Sequence, residues 1–315
     1  MVQRMGPAKR SLQLVALVCA AGTAMVGCGK PASKPDATQV APGPARTGAA
    51  DPGPPAETPG GSEHSSADPA QRLSHRLHQP FTQAARQSDD PPAGSQRPVD
   101  ETMAGKSTGK LYSEVMRLWD EIRFTSADGR LLQVTATLHT ELGLIEMTLL
   151  PEVAPNHVRN LVALAQAGFY DGLCFDRIHH EEDEDDPATR LDALEAGCPL
   201  GTGEAGFDHI GYWLNPEFDD PKQPRASHEE GTVGACRGAE LDSAACRFYI
   251  TLNKAPYLDG NYTVFAKVTR GLDVARRIFQ QPIILDDRDV NGSRRPQKPV
   301  VIRKVTIHTS AAEEK

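Results

Sequence analysis

Large apolar residues are nearly absent from positions 29–110 and abundant after Leu111, so a core built from sequence pattern alone must come from the last two thirds of the chain. Residues 29–110 hold 13 of the 25 prolines, with many Gly, Ala, Ser and Gln. Such a segment buries too little surface to offset its chain entropy and is expected to be disordered. As a flexible coil it reaches roughly 50 Å, more where proline stiffens it. That is the composition of a tether, and 28–110 is assigned as one.

The opening residues read as a targeting signal to be set aside from fold reasoning. Arg4, Lys9 and Arg10 form a basic start, and Leu12 to Val26 is an apolar run too short for a comfortable membrane span, which needs roughly 20 residues. The run closes on Met25-Val26-Gly27-Cys28, which resembles a bacterial lipobox with Met in the usual Leu place. The resemblance implies a signal peptide over 1–27, acylation of Cys28 and attachment to the cell envelope. Gly29, in place of a retention Asp, favours the outer membrane facing the periplasm. An ordinary secretory signal with a chance cysteine is the alternative. Charge is split unevenly: residues 1–110 carry +3 and residues 111–315 carry −11. An acidic domain repels phosphate backbones, which excludes nucleic acid as a partner.

From Leu111 the pattern becomes periodic. Leu111, Val115, Leu118, Trp119 and Ile122 fall at helical spacing, so a short amphipathic helix is expected over 110–123 within a lead-in at 111–130. Residues 132–139 and 143–150 alternate as a strand pair around Glu141-Leu142-Gly143. Pro155 to Gly168 has the start and stop signals of a helix. Short strands are expected at 173–178, 193–198, 232–236, 247–252, 263–268 and 300–308, with a second domain helix at 271–279. This reading places one mainly β domain over 131–309, followed by a tail at 310–315.

Several motifs occur in order within that domain. They are Pro155-Asn156-His157-Val158-Arg159-Asn160, Gly168-Phe169-Tyr170-Asp171-Gly172 leading to Phe175-Asp176-Arg177, Gly201-Thr202-Gly203, Glu217-Phe218, Phe248-Tyr249-Ile250-Thr251, and Leu258-Asp259-Gly260-Asn261-Tyr262-Thr263-Val264-Phe265. Taken together the set resembles the cyclophilin-type peptidyl-prolyl cis-trans isomerases. The resemblance implies a closed antiparallel β-barrel capped by two helices, an enzyme that isomerises X-Pro bonds without cofactor or metal and so assists the folding of exported proteins. Rotating such a bond crosses a barrier of about 18–20 kcal/mol that arises from amide resonance. A catalyst needs an apolar seat for the proline ring and a fixed cationic donor for the twisted amide nitrogen, a task suited to arginine. The family pattern assigns that donor to Arg177. It implies substrate contacts from Tyr249, Tyr257, Leu258, Tyr262, Glu195, Cys236 and Arg247.

This chain also departs from the pattern. Anchoring on Gly197 and Pro199 puts Asp192 at a pocket phenylalanine, Ala193 at a methionine and Glu195 at a glutamine, where Glu195 is free to pair with Arg177. The alternative function is therefore a weak or inactive cyclophilin-fold binder of proline-containing segments. His179-His180-Glu181-Glu182-Asp183-Glu184-Asp185-Asp186 lacks calcium-loop spacing and reads as a solvated acidic hairpin tip. The expected partners are proline-containing exported polypeptides, met as a monomer. Cys174, Cys198, Cys236 and Cys246 remain for an exported domain, and four cysteines allow three pairings. The family fold implies the local ones, Cys174 with Cys198 and Cys236 with Cys246.

Overall fold

A computed structural model describes residues 77–181, 189–218, 226–284 and 293–311. The signal segment, Cys28, the first part of the tether, acidic positions 182–186 and the last residues of the tail lie outside the described residues.

Alternation of apolar residues sets the hairpin at the sheet's heart. Strand β2 (Leu132–Thr140) buries Val134, Ala136 and Leu138, and β3 (Gly143–Leu149) buries Ile145, Met147 and Leu149. The two pair from Val134↔Leu149 to Thr140↔Gly143. Helix α3 (Pro155–Gln166) follows, with Pro155 in its first turn, where its missing N–H costs nothing. Every residue from Pro155 to Ala165 is buried, so this helix is a filling of the domain and not an external cap. Its N-terminus is closed by the buried Glu217 carboxylate, which accepts from Asn156 N (3.0 Å), His157 N (2.9 Å) and His157 Nδ1 (2.7 Å). An anion there meets free N–H groups and the positive end of the helix dipole.

The remaining strands are β4 (Phe175–Glu181), β5 (Leu191–Ala196), β7 (Thr232–Ala235), β8 (Phe248–Thr251), β9 (Val264–Arg270), β10 (Ser293–Arg294) and β11 (Ile302–Ala311). Helix α4 (Leu272–Phe279) follows β9 and buries Val274, Ala275 and Ile278. Sheet order is β10-β4-β5-β8-β7-β9-β3-β2-β11. The sheet is curled but not closed, which corrects the closed barrel implied by the resemblance. Among the described residues β4, next to one end, meets the start of β11 at an isolated bridge between Cys174 and Val301, supported by Phe175 N to Val300 O (3.0 Å) and Ile302 N to Leu173 O (2.8 Å). Pro296 and Pro299 lie between the end strands and have no N–H to offer, so a continuous ladder cannot form there.

A larger correction concerns the segment before the domain. The expected disorder does not extend through 77–110. Leu77, Phe81, Ala84 and Ala85 are buried in the main core. A single helical turn α1 (Phe81–Ala84) leads into β1 (Ala85–Gln87), which pairs antiparallel with β6 (Tyr212–Leu214). Helix α2 (Thr108–Trp119) turns the expected stripe inward, burying Leu111, Val115, Leu118 and Trp119. Phe81 meets Tyr212 (5.0 Å), Trp119 (5.1 Å) and Tyr112 (6.1 Å) edge to face. Arg159, on α3, lies over Phe124 (4.9 Å) and Trp119 (5.6 Å) and donates to Leu77 O (2.8 Å). Burial lowers its pKa to about 10. The segment's own composition lacks a core, but α2 at its end, and α3 and β6 far along the chain, supply the surface it needs.

The four cysteines are free thiols, so neither expected disulfide is present. Cys236 N donates to Arg247 O (3.2 Å), which sets Cys236 across from Arg247 and not from Cys246. Neighbouring positions on a strand face opposite sides. Accordingly Cys236 packs in the smaller apolar cluster, while Cys246 packs in the main core. Cys174 Sγ approaches Met103 Sδ (3.8 Å), whereas Cys198 Sγ faces Thr202 Oγ1 (4.0 Å) and Phe207 O (3.9 Å).

Candidate active site

Register assembles the site. Arg177 stands opposite Glu195, Glu195 opposite Tyr249, and Tyr249 opposite Gly234. Residues paired across a sheet share a face, so these four form one row over β4, β5, β8 and β7. One step along, His179, Ala193 and Thr251 form a second row on the same face. Arg177 is 8% exposed. The Gly201-Thr202-Gly203 loop lies directly on it: a Cβ at Gly203 would come 2.5 Å from Arg177 Cγ. A side chain is therefore excluded where the loop passes the guanidinium stem.

The apolar part of the site is a cluster of Leu191, Ala193, Cys236, Tyr249, Ala255, Leu258 and Tyr262, with Tyr257 packed against it. The structure thus brings together Tyr249, Tyr257, Leu258, Tyr262 and Cys236, with Arg177 two strands from Tyr249 in the same row. The seven are buried, none above 2% exposure, so the patch is closed and a proline ring enters only if a neighbour yields. Tyr249 crosses the bare backbone of Gly234, where a Cβ would come 2.2 Å from the phenol oxygen. Tyr262 meets Tyr249 edge to face at 6.1 Å and carries Arg237 over its ring at 4.5 Å.

Three expectations are revised here. Asp192 does not occupy the apolar seat: its carboxylate receives His180 Nδ1 (2.5 Å) and Arg190 Nη2 (2.7 Å). Leu191 joins the cluster instead, because Leu191, Ala193 and Glu195 alternate onto one face and Asp192 onto the other. Glu195 Oε2 accepts from Arg247 Nη2 (2.5 Å), so its charge is answered within the sheet. The same nitrogen donates to Asp176 Oδ1 (2.7 Å), whose other oxygen accepts from Cys198 N (3.1 Å). Arg247, expected among substrate contacts, is 2% exposed and serves as a brace between two buried carboxylates. Burial pushes the Asp176 carboxyl up, with Arg247 opposing. Asp208, also buried, is pushed up by the same cause.

Sequence reasoning missed His228. Its backbone N and Nδ1 both meet Asp259 Oδ1 (2.8 and 2.7 Å), and Nε2 meets the Tyr249 hydroxyl (2.7 Å). An ionised carboxylate only accepts, so Nδ1 donates to Asp259 and Nε2 accepts from Tyr249. Burial lowers the His228 pKa, against the pull of Asp259. No local signal marks His228, since its partners lie 21 and 31 residues away. A cavity of about 210 Å³ adjoins the site, lined in part by Asp259, Tyr262, Glu217 and Ser227. Another, of about 650 Å³, lies between the N-terminal segment and α2, and includes none of the row. Among the described residues no group of three His, Cys, Asp or Glu is arranged to hold a metal ion.

Residues 135–307 match the family model described as cyclophilin type peptidyl-prolyl cis-trans isomerase. The chain is 32% identical over 167 residues to peptidyl-prolyl cis-trans isomerase ppi1 of Schizosaccharomyces pombe, covering 53% of this chain and 94% of that protein. It is 30% identical over 177 residues to peptidyl-prolyl cis-trans isomerase 9 of the same organism, but spans only 26% of that protein's length. A cyclophilin type isomerase structure from Cryptosporidium parvum aligns with a TM-score of 0.43 at 21% identity, covering 56% of this chain and 99% of the other. The chain belongs to the cyclophilin-type peptidyl-prolyl isomerase family.

Proposed function

We propose that this chain catalyses cis-trans isomerisation of X-Pro bonds, with Arg177 as the electrostatic catalyst. The observation that carries the reading is the row itself: Arg177 is fixed beside an apolar cluster containing Leu191, Tyr249, Leu258 and Tyr262, with Glu195 engaged by Arg247. No bond is broken in the reaction. The work is to seat the ring and to donate to the proline nitrogen as it regains its lone pair in the twisted amide. A buried guanidinium does this with little screening by water. The full chain in a protease-coupled proline-peptide assay tests it. Arg177→Ala should lower kcat/KM at least a hundredfold, about 2.7 kcal/mol of transition-state stabilisation. An unchanged rate in the folded variant would refute the assignment.

The finer reading is that the domain is exported, acylated at Cys28 and held off an outer membrane, where it assists proline-limited folding of exported polypeptides. The lipobox-like Met25-Val26-Gly27-Cys28 and the basic start support it. Uncatalysed prolyl steps take tens of seconds or longer, slow enough for a dedicated catalyst to matter. Globomycin-sensitive processing and labelling by a palmitate probe test the anchor, and Cys28→Ala must abolish both.

One observation favours a second reading, a fold that grips proline segments without turning them over. The apolar patch is closed, and charged residues stand in its row. NMR exchange spectroscopy on a proline peptide separates the two, since a pure binder shifts resonances without accelerating exchange.

A further inference from the structure

Tyr249 brings a hydroxyl into the middle of the apolar cluster, and the fold disposes of it in a particular way. Its oxygen sits over Gly234 and is met by His228 Nε2 at 2.7 Å. His228 is itself held twice by one carboxylate oxygen, through N and Nδ1 on Asp259. Asp259 directly follows Leu258, which packs in the same cluster as Tyr249. Tyr249 Oη, the His228 ring and Asp259 Oδ1 therefore form one chain of hydrogen bonds that joins β8 to the turn at Pro256–Leu258. The His228 ring is stacked beside the tyrosine ring, 6.0 Å between centroids at 16°, so it fixes the plane of the aromatic wall as well as its hydroxyl.

We infer that His228 and Asp259 are positioning residues for the isomerisation, holding Tyr249 so that its ring face is presented to proline and its hydroxyl is withheld from it. The inference rests on the reading of this cluster as the proline seat. Without His228, the phenol oxygen loses its acceptor inside an apolar cluster. A buried donor left unpaired costs enough to drive rearrangement, and the ring turns to find water or the substrate carbonyl. The consequence falls on substrate binding more than on the turnover step, because Arg177 stays where β4 and the Gly203 loop hold it.

The test is a rescue in the full chain. His228→Ala should raise KM on the order of tenfold with kcat within about twofold, following the cost of a buried unpaired hydroxyl. Tyr249→Phe added to His228→Ala should return KM to within about twofold of the original chain, because no hydroxyl then needs a partner. A role in packing alone predicts the opposite, since the double variant removes more atoms. Long-range ¹H–¹⁵N correlation on the original chain should show His228 with Nδ1 protonated and Nε2 bare. An active, folded His228→Ala with unchanged KM, a double variant no better than the single, or the reverse tautomer would each overturn the inference. If His228→Ala does not fold, the double variant and the tautomer still decide. An original chain without isomerase activity is a different failure: it removes the functional reading, and this role with it, even if the tautomer is as expected.

Discussion

Replacing Arg247 by Gln removes a buried cation from between two buried carboxylates. The side chains of Arg247, Asp176 and Glu195 are 1%, 0% and 8% exposed, so water cannot take over the lost partner. Breaking a buried ion pair from one side costs about 3–5 kcal/mol. The glutamine amide still reaches one carboxylate, which favours the lower end, about 3 kcal/mol. For a domain near 200 residues that lowers Tm by about 6–12 °C. The loss depends on pH. Asp176 already sits above the usual carboxyl range because burial outweighs Arg247, and losing Arg247 raises it further. A carboxyl raised on folding binds more protons folded than unfolded, so stability falls as pH rises from the unfolded value, about 4, through the folded one. The deficit of Arg247→Gln should therefore be widest at neutral pH and shrink toward pH ~4. Glu195, directly across from Arg177, is released at the same time and competes for it, so kcat/KM should drop at least tenfold, about 1.4 kcal/mol. Adding Glu195→Gln removes that competitor and should recover most of the activity and part of the Tm. Thermal denaturation by circular dichroism across pH, with the proline-peptide assay alongside, reads all of this. A Tm within ~1 °C of the original at neutral pH, or a deficit that grows on acidification, would refute the brace.

Three further outcomes follow from the packing. Phe81→Ala should destabilise the chain by about 3–5 kcal/mol, as for a large aromatic lost from a core, and a chemical denaturation curve unchanged by it would return residues 77–110 to the status of a tether. Alkylation in denaturant without reductant, followed by peptide mapping, should label Cys174, Cys198, Cys236 and Cys246 alike. In the native chain Cys174 should label slowly at pH ~8, since burial pushes its thiol up to about 12 and little thiolate forms.

Local pattern was enough to place most of the elements. The β2–β3 alternation, the stripe of α2 and the Pro155 start of α3 are short-range signals, and short-range physics reads them. Arg177, Tyr249, Leu258 and Tyr262 came instead from the resemblance that their ordered motifs carry. What escaped was decided by partners distant in the chain. Residues 77–110 look uncoreable in isolation, yet Phe81 folds because Trp119 and Tyr212 wait 38 and 131 positions on. Face assignment set the rest: a shift of one residue sends a side chain to the other side of a strand, which is why Leu191 and not Asp192 enters the apolar cluster, and why Cys236 and Cys246 cannot meet. The charges in the site were visible as residues, but their pairing was not. Whether Glu195 answers Arg177 or Arg247 is settled by which nitrogen lies 2.5 Å away, and only the tertiary structure fixes that distance.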